Sequence, residues 1–444
     1  MAAVTYEVKA QVRPAPGRAA CARSALPAPH SAAGCAEADA GCPTVLGLQA
    51  RCLAAVEGDA DRSRFIVGTL NLRASNELHI VEFSEDTNEL AAVAIYATPH
   101  EVWHLAACPT PSHASKLLIV LNDGGASHYA SLTVVPVLDV DDAGGHSRGA
   151  GTRAALPETV QLMPSAGSVA AHGLMRTALW NPAEDVTAAV TIQSGAMCRW
   201  PLDRGDAHPS PSASCTADGA FGTPLSGTAP QSIESACWDP HHAHTLALGS
   251  ASGAISTIDL RTAKRAHGLA GAHKGSVRVL SFNPNRPYVL LSASDDRTMR
   301  FWDLRKAGAV GDTSPSPSAP AASSSEVCLL TMADAHMHWT CSAQFNRFHD
   351  QLILTAGTDS TVKLWRAASI SSVPPTSEPL DGDEADADRE SERDGLIKKF
   401  TEHEESVYSL VWSAADAWLF ASLSLDGKLC THYVPAAEKY RILL

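Results

Sequence analysis

Residues 292–305 read SASDDRTMRFWDLR: two serines, a pair of acids, an alternating stretch, then Trp302 and Asp303. A single Trp-Asp pair proves little, so the question is whether its surroundings repeat. Measured from the histidine that precedes it, His273 is followed by Phe282 at +9, Asp296 at +23 and Trp302 at +29. The same ruler laid on His336 meets Phe345, Asp359 and Trp365. Laid on His403 it meets Trp412 and Asp426, while the last mark falls on His432.

Weaker copies lie upstream. Trp180-Asn181-Pro182 leads to Trp200 with Ser194 in place of the acid, and Trp238-Asp239-Pro240 leads to Ser252 and Ile258. HEVWHLAACP (100–109) and the pair RFIVGT (64–69) and LHIVEF (78–83) suggest two more. Within each copy, short runs such as VRVLSF and TMRFWDL alternate apolar and polar residues with period two, which marks strands packed on one face. No helical pattern of 10 to 15 residues separates them, so parallel βαβ units are excluded. Units of ~40 residues built from four strands, with His early and Trp-Asp late, are the signature of an all-β, seven-bladed WD40 β-propeller. The units are counted at 64–99, 100–139, 172–203, 233–262, 273–306, 336–368 and 403–434.

Composition agrees with a globular protein built of repeats: 444 residues, 45% hydrophobic and 18% charged, with mean hydropathy near zero and no apolar run of the ~18 residues a membrane helix needs. Direct membrane insertion is therefore not expected. The eleven cysteines are scattered and never in CxxC spacing, which argues for reduced thiols in a cytoplasmic protein. The formal charge of −14 counts against nucleic acid, whose binding calls for a basic stripe. Between Ser371 and Gly395 nine acids face two arginines, a segment too polar to offset its ordering entropy. Residues 204–229 and 307–325 are rich in Pro, Ser, Ala and Gly. These three segments read as flexible loop insertions in a propeller spanning 43–444, and residues 1–42 read as a disordered extension.

The repeated polar residues have a structural reading. A histidine, a strand hydroxyl, a turn carboxylate and an indole N–H can satisfy one another as a buried relay. Its members are expected to be His273, Ser294 (or Ser292), Asp296 and Trp302 in the sharpest unit. His336, Asp359 and Trp365 form the next set, with Gly357 in the hydroxyl place, so that this relay is incomplete or uses Thr355. His403 and Asp426 form the third. No GxSxG, Walker or GxGxxG motif is present, and HEVWH (100–104) has HExxH spacing only within a strand-forming unit rather than on the helix that motif needs, so the His/Asp/Ser collection is not read as an enzyme. No cofactor is implied, and His241–His244 (HHAH) read as a solvated turn rather than a metal site. What such a fold offers is surface. Residues beside the relay should reach one face: Lys274, Asp295, Trp339, Glu404 and Ser406, with Trp339 a natural interface anchor.

Several phrases go beyond a generic propeller. WLFASLSLDG (418–427), the ending KYRILL (439–444), NELHIVEF, HGLMRTALWNP (172–182) and FNPNRPYVLLSASDD resemble the EARP-interacting protein family. TVLGLQARCL (44–53) resembles that family's usual start. The resemblance implies a monomeric WD40 adaptor within a larger assembly. Its partners would be the endosome-associated recycling and Golgi-associated retrograde tethering complexes, EARP and GARP, at endosomes and the trans-Golgi network. A competing reading rests on Trp302-Asp303-Leu304-Arg305, a WDxR box of the kind that substrate receptors use to dock on cullin-RING ligases through Asp303 and Arg305.

Overall fold

Alternation of apolar residues commits each strand to a sheet with two buried faces, because every sheet here is covered by a neighbour on either side. The computed structural model describes residues 3–7, 48–72, 75–123, 128–135, 153–156, 159–162, 174–181, 188–202, 213–216, 232–262, 264–307, 324–372 and 394–444. Its strands form seven sheets, six antiparallel ones of four strands and one of five whose outermost strand, Arg153–Ala155, runs parallel to Glu89–Thr98. The first strands of the seven blades are Ala50–Ala55, Glu101–Ala107, Met175–Trp180, Ile233–Trp238, Val277–Phe282, Thr340–Phe345 and Val407–Trp412. Each touches the first strands of the blades before and after it, and the seventh touches the first, so the ring closes. These strands line a central channel of about 700 Å³. The apolar core divides into seven clusters, one in each gap between adjacent blades. Phe301 and Phe345, for example, meet edge to face between the fifth and sixth blades.

The Asn/Asp-Pro signal has a specific job at the end of the first strand. Asn283 accepts N–H bonds from Asn285 and Arg286 at 2.8 and 2.7 Å. Asp239, Asn346, Ser413 and Asp59 each cap two successive N–H groups in the same way. All five side chains are buried, so each turn is satisfied from within. His241 and His242 belong to this scaffold: His242 Nδ1 lies 2.8 Å from Asp239, and His241 Nε2 lies 3.1 Å from the Asn283 carbonyl. The turn is thus tied down rather than freely solvated.

Several sequence expectations are corrected. Residues 1–42 are not wholly an extension, because Val4–Glu7 is the fourth strand of the seventh blade, antiparallel to Lys428–Tyr433. The physical reason is that 403–434 supplies only three strands, and an open edge is a liability. Closure also reaches the first blade, where the Tyr6 hydroxyl bonds His79 Nδ1 at 3.1 Å and Ser63 bonds Ser413 at 2.9 Å. The first unit begins at Ala50, not at residue 64, since Ala50–Ala55 pairs with Ser63–Thr69.

Within the expected insertion 204–229, Ala213–Thr216 is the outer strand of the third blade. Within 307–325, a helical turn starts at Ser324. At the margins of 371–395, Ser371 and Ser372 donate to Asp350 and Gly395 opens a strand. Ala307 is buried in the core and Asp394 accepts from the Ser369 N–H; the remainder of these segments, and residues 8–42, lie outside the described residues. In the third, fifth and sixth blades, connections 203–212, 308–323 and 373–393 follow a third strand and precede the outer one, whereas 136–152 follows the third strand of the second blade and leads first to Arg153–Ala155, an added strand on the edge of the first blade.

The C-terminal helix (Ala436–Leu443) is pinned by Glu438, whose buried carboxylate takes a two-point bond from Arg366 on the sixth blade. Lys439 lies over the Trp418 ring at 5.4 Å. Removing residues 1–7 should lower the thermal midpoint and promote self-association through the exposed edge of Lys428–Tyr433; unchanged melting and a monomeric sedimentation profile would contradict the closure described here.

Candidate functional site at the channel mouth

The relay that orders this face forms in full in the fifth blade. Trp302 Nε1–H donates to Ser292 Oγ at 2.7 Å, and Ser292 lies 2.7 Å from His273 Nε2. Since the indole can only donate, the serine proton passes to Nε2, which leaves Nδ1–H to meet Asp296 at 3.1 Å. The hydroxyl is therefore Ser292 rather than Ser294. Trp302 stands opposite Leu290 in the ladder, so Ser292 is its diagonal neighbour while Ser294 lies two residues beyond the reach of the ring. In the sixth blade the relay is complete through Thr355, 2.8 Å from both His336 Nε2 and Trp365 Nε1. Gly357 cannot be otherwise, because a Cβ there would stand 2.6 Å from His336 Nδ1.

In the seventh blade His403 reaches Asp426 indirectly, through Ser424, which bonds both. The fourth blade drops the relay as a unit: Leu248, Ser252 and Ile258 stand where hydroxyl, acid and indole would be. Leu248 and Ile258 pack in the core. Removing both partners leaves no buried polar group without a mate, which costs far less than removing one.

Burial alone would favour the neutral form of Asp296, but bonds from His273, Thr298 and the Lys274 N–H outweigh it and hold the carboxyl well below its usual range. Asp359 is held down in the same manner by His336, the Met337 N–H and Thr361. Burial pushes His336 below its ordinary value despite Asp359 beside it. It pushes His79 down to about 4.

The relay carboxylates also fix the surface. Asp296 accepts from the backbone N–H of Lys274 and Asp359 from that of Met337, at 3.0 and 2.9 Å. Lys274 and Glu404 are exposed, as expected. Trp339 is 46% exposed and Met337 79%. Trp339 is not packed beneath a loop but sits between the His338 ring and the Arg278 guanidinium. Asp295 is tied to Arg278 through a bidentate pair. Ser406 is half-buried, its hydroxyl on the Thr358 carbonyl, and serves the fold more than the surface.

Residues the sequence reading missed lie one step inward. Every first strand carries a register break near its start, between Ala50/Cys52, Val102/His104, Met175/Thr177, Ile233/Ser235, Val277/Val279, Thr340/Ser342 and Val407/Ser409. Each bulge frees one residue from the ladder and re-aims it. The seven are Arg51, Trp103, Arg176, Glu234, Arg278, Cys341 and Tyr408, a collar with one residue from each blade. Position +5 on the histidine ruler marks three of them, Arg278, Cys341 and Tyr408, and was the available signal.

Arg278 and Arg176 share Glu234. Arg51 is different: its guanidinium lies 5.2 Å from the Trp103 ring centre and 5.0 Å from that of Tyr408, and it has no carboxylate partner among the described residues. Trp103 is itself braced by Glu101, which also holds Asn122. Burial pushes the neighbouring Cys341 thiol up to about 11 against the pull of Arg51 and Arg278. An arginine clamped between two rings, with its planar fork unengaged by acid, is suited to a carboxylate.

Asp303 and Arg305 lie on the opposite rim, after the third strand. They are bonded to each other at 2.9 and 2.7 Å, with Arg305 57% exposed.

A closed seven-bladed ring, with His–Asp–Trp relays beneath a collar of re-aimed side chains, defines a WD40 propeller, a scaffold fold that presents surface. The profile of the EIPR1 beta-propeller matches residues 40–365, a WD-domain G-beta repeat matches 395–431, and the chain belongs to the EIPR1 beta-propeller family. It is similar to the EARP-interacting protein homolog of Gekko japonicus (32% identical, covering 90% of this chain and 99% of the relative). It is also similar to the EARP and GARP complex-interacting protein 1 of Homo sapiens (30%, with the same coverage). The WD repeat-containing protein DWA2 of Arabidopsis thaliana is 29% identical over 86% of this chain and 93% of its own.

The shifts of His336, His79, Asp296 and Asp359 point one way. His336 and His79 lie below their unfolded values, so the stability they contribute is complete above about pH 6.5 and is lost as pH falls below it, for His79 as pH approaches about 4. Asp296 and Asp359 are depressed, so their share is lost only below about pH 4. The urea midpoint should be flat between about pH 7 and 8 and fall in two stages on acidification, and Asp359→Asn should diminish the lower stage. A midpoint that rises between pH 6.5 and 4 would contradict this reading.

Proposed function

We propose that this protein is a non-enzymatic adaptor that engages EARP and GARP tethering complexes. It would act in the cytoplasm, peripherally at endosomes and the trans-Golgi network, in endocytic recycling and retrograde transport. The relatives' names support the class of partner. No described helix is long and apolar enough to cross a membrane, consistent with attachment through a partner. The observation that carries the contact site is Arg51, a cation with no acid partner among the described residues in a chain of net charge −14, on a collar whose Arg278 lies against the exposed Trp339 ring. This collar fits an acidic peptide segment carrying an apolar anchor, and Lys274 and Glu404 form its rim. The propeller would act as a single copy inside the larger assembly.

A second reading, docking to a cullin-RING ligase adaptor, is favoured by one observation: the Arg305 side chain is exposed on the rim opposite the collar.

Affinity purification of the full chain followed by mass spectrometry separates the two. Wild type should recover multisubunit tethers, Arg51→Glu and Trp339→Ala should reduce that recovery at least tenfold with unchanged melting, and Arg305→Ala should leave it intact. Tether-free purifications of wild type would overturn the adaptor reading. Recovery of a ligase adaptor that is lost in Arg305→Ala would favour the second.

A further inference from the structure

In the seventh blade two changes fall together on the relay frame. At +27 from the histidine, the fifth and sixth blades carry Arg300 and Lys363, whose cationic ends cap the carbonyls of Ala272 and Ala335. The seventh blade carries Cys430 there, and Lys428 caps the corresponding Glu402 carbonyl instead. At +29, where Trp302 and Trp365 stand, it carries His432. Cys430 pairs across the strands with Ser422, and His432 pairs with Phe420, so both side chains converge on the Ser422 hydroxyl. His403 Nε2 approaches that hydroxyl at 2.7 Å and His432 Nε2 at 3.3 Å. The ligand atoms of His403, Cys430 and His432 lie within 4.8 Å of one another, and all three residues are buried.

We propose that His403, Cys430 and His432 form a binding site for one zinc ion, with the Ser422 hydroxyl or a water completing the shell. Two imidazoles and one thiolate, with no carboxylate among them, suit zinc rather than a hard cation. Tetrahedral bonds of about 2.0–2.1 Å to nitrogen and 2.3 Å to sulfur set ligand atoms roughly 3.3–3.6 Å apart, so the cluster must contract by about 1 Å. The outer shell is already in place. His403 Nδ1 is held at 2.8 Å by Ser424, which in turn bonds Asp426, and this directs Nε2 inward. The rings of Phe400 and Phe420 lie 4.7 and 5.2 Å from that of His432 and keep the site dry. On binding, the Cys430 S–H bond gives way to a sulfur–zinc bond and the proton leaves to solvent, with no change of oxidation state.

The test uses the full chain freed of metal and titrated with cobalt(II) chloride alone, then zinc chloride. Wild type should develop a thiolate-to-cobalt charge-transfer band that saturates at one equivalent and is abolished by zinc. Cys430→Ser should lose the band. His432→Trp, which restores the residue of the neighbouring blades and preserves the relay, should weaken binding at least tenfold. X-ray absorption at the zinc edge of the wild-type complex, which depends on no variant folding, should show one sulfur and two imidazoles. Absence of the band in folded wild type, its persistence in Cys430→Ser, or a shell of oxygen and nitrogen only would each overturn the site.

Discussion

The proton on one imidazole nitrogen organises the best-formed blades. Because the Trp302 indole can only donate, Ser292 must donate onward to His273 Nε2, and His273 must carry its proton on Nδ1 toward Asp296. A chain of one-way donors ends on a carboxylate that still has acceptor capacity, and it spends that capacity on the backbone of the next loop at Lys274. The relay thus links two strands of the sheet and the turn between them to the loop that leads into the channel. Loss of any member leaves a buried polar group unpaired, at a cost on the order of 1–3 kcal/mol.

The ring places a second constraint on the chain, because a circle has no natural end. Val4–Glu7 completes the sheet that the last residues begin, and Ser409 and Ser413 bond Leu53 and Ser63 across the seam. The third strands end on the rim opposite the relays, where Asp303 and Arg305 lie. Variation in length there does not disturb the collar or the loops that the relays hold.

Legibility in the sequence followed the physics of spacing. The sharp blades could be read because His273, Asp296 and Trp302 must keep fixed offsets to meet one another. The fourth blade was faint because Leu248 and Ile258 pack without polar partners and need no such marks. Val4–Glu7 was missed because four residues carry too little pattern to be told from a tail, and only the missing edge of the seventh blade assigns them. Ser294 was preferred to Ser292 because the two alternate on the same face; the reach of the Trp302 ring separates them, and that is a distance rather than a pattern. The candidate site was the least legible part. Lys274 and Trp339 follow directly from the ruler, but Arg51 sits in a blade with no histidine to measure from, and its ring partners come from Trp103 and Tyr408, far apart in the chain.

The bulge near the start of each first strand separates two demands that usually conflict. The seven re-aimed residues make none of the ladder bonds that keep the blades standing, so evolution can exchange them one at a time while the barrel of hydrogen bonds beneath is untouched. On the function proposed above, the collar would set what is gripped while its frame stays fixed. If the collar is the contact surface, the identity of those seven side chains bears more directly on what is gripped than resemblance across the whole chain does.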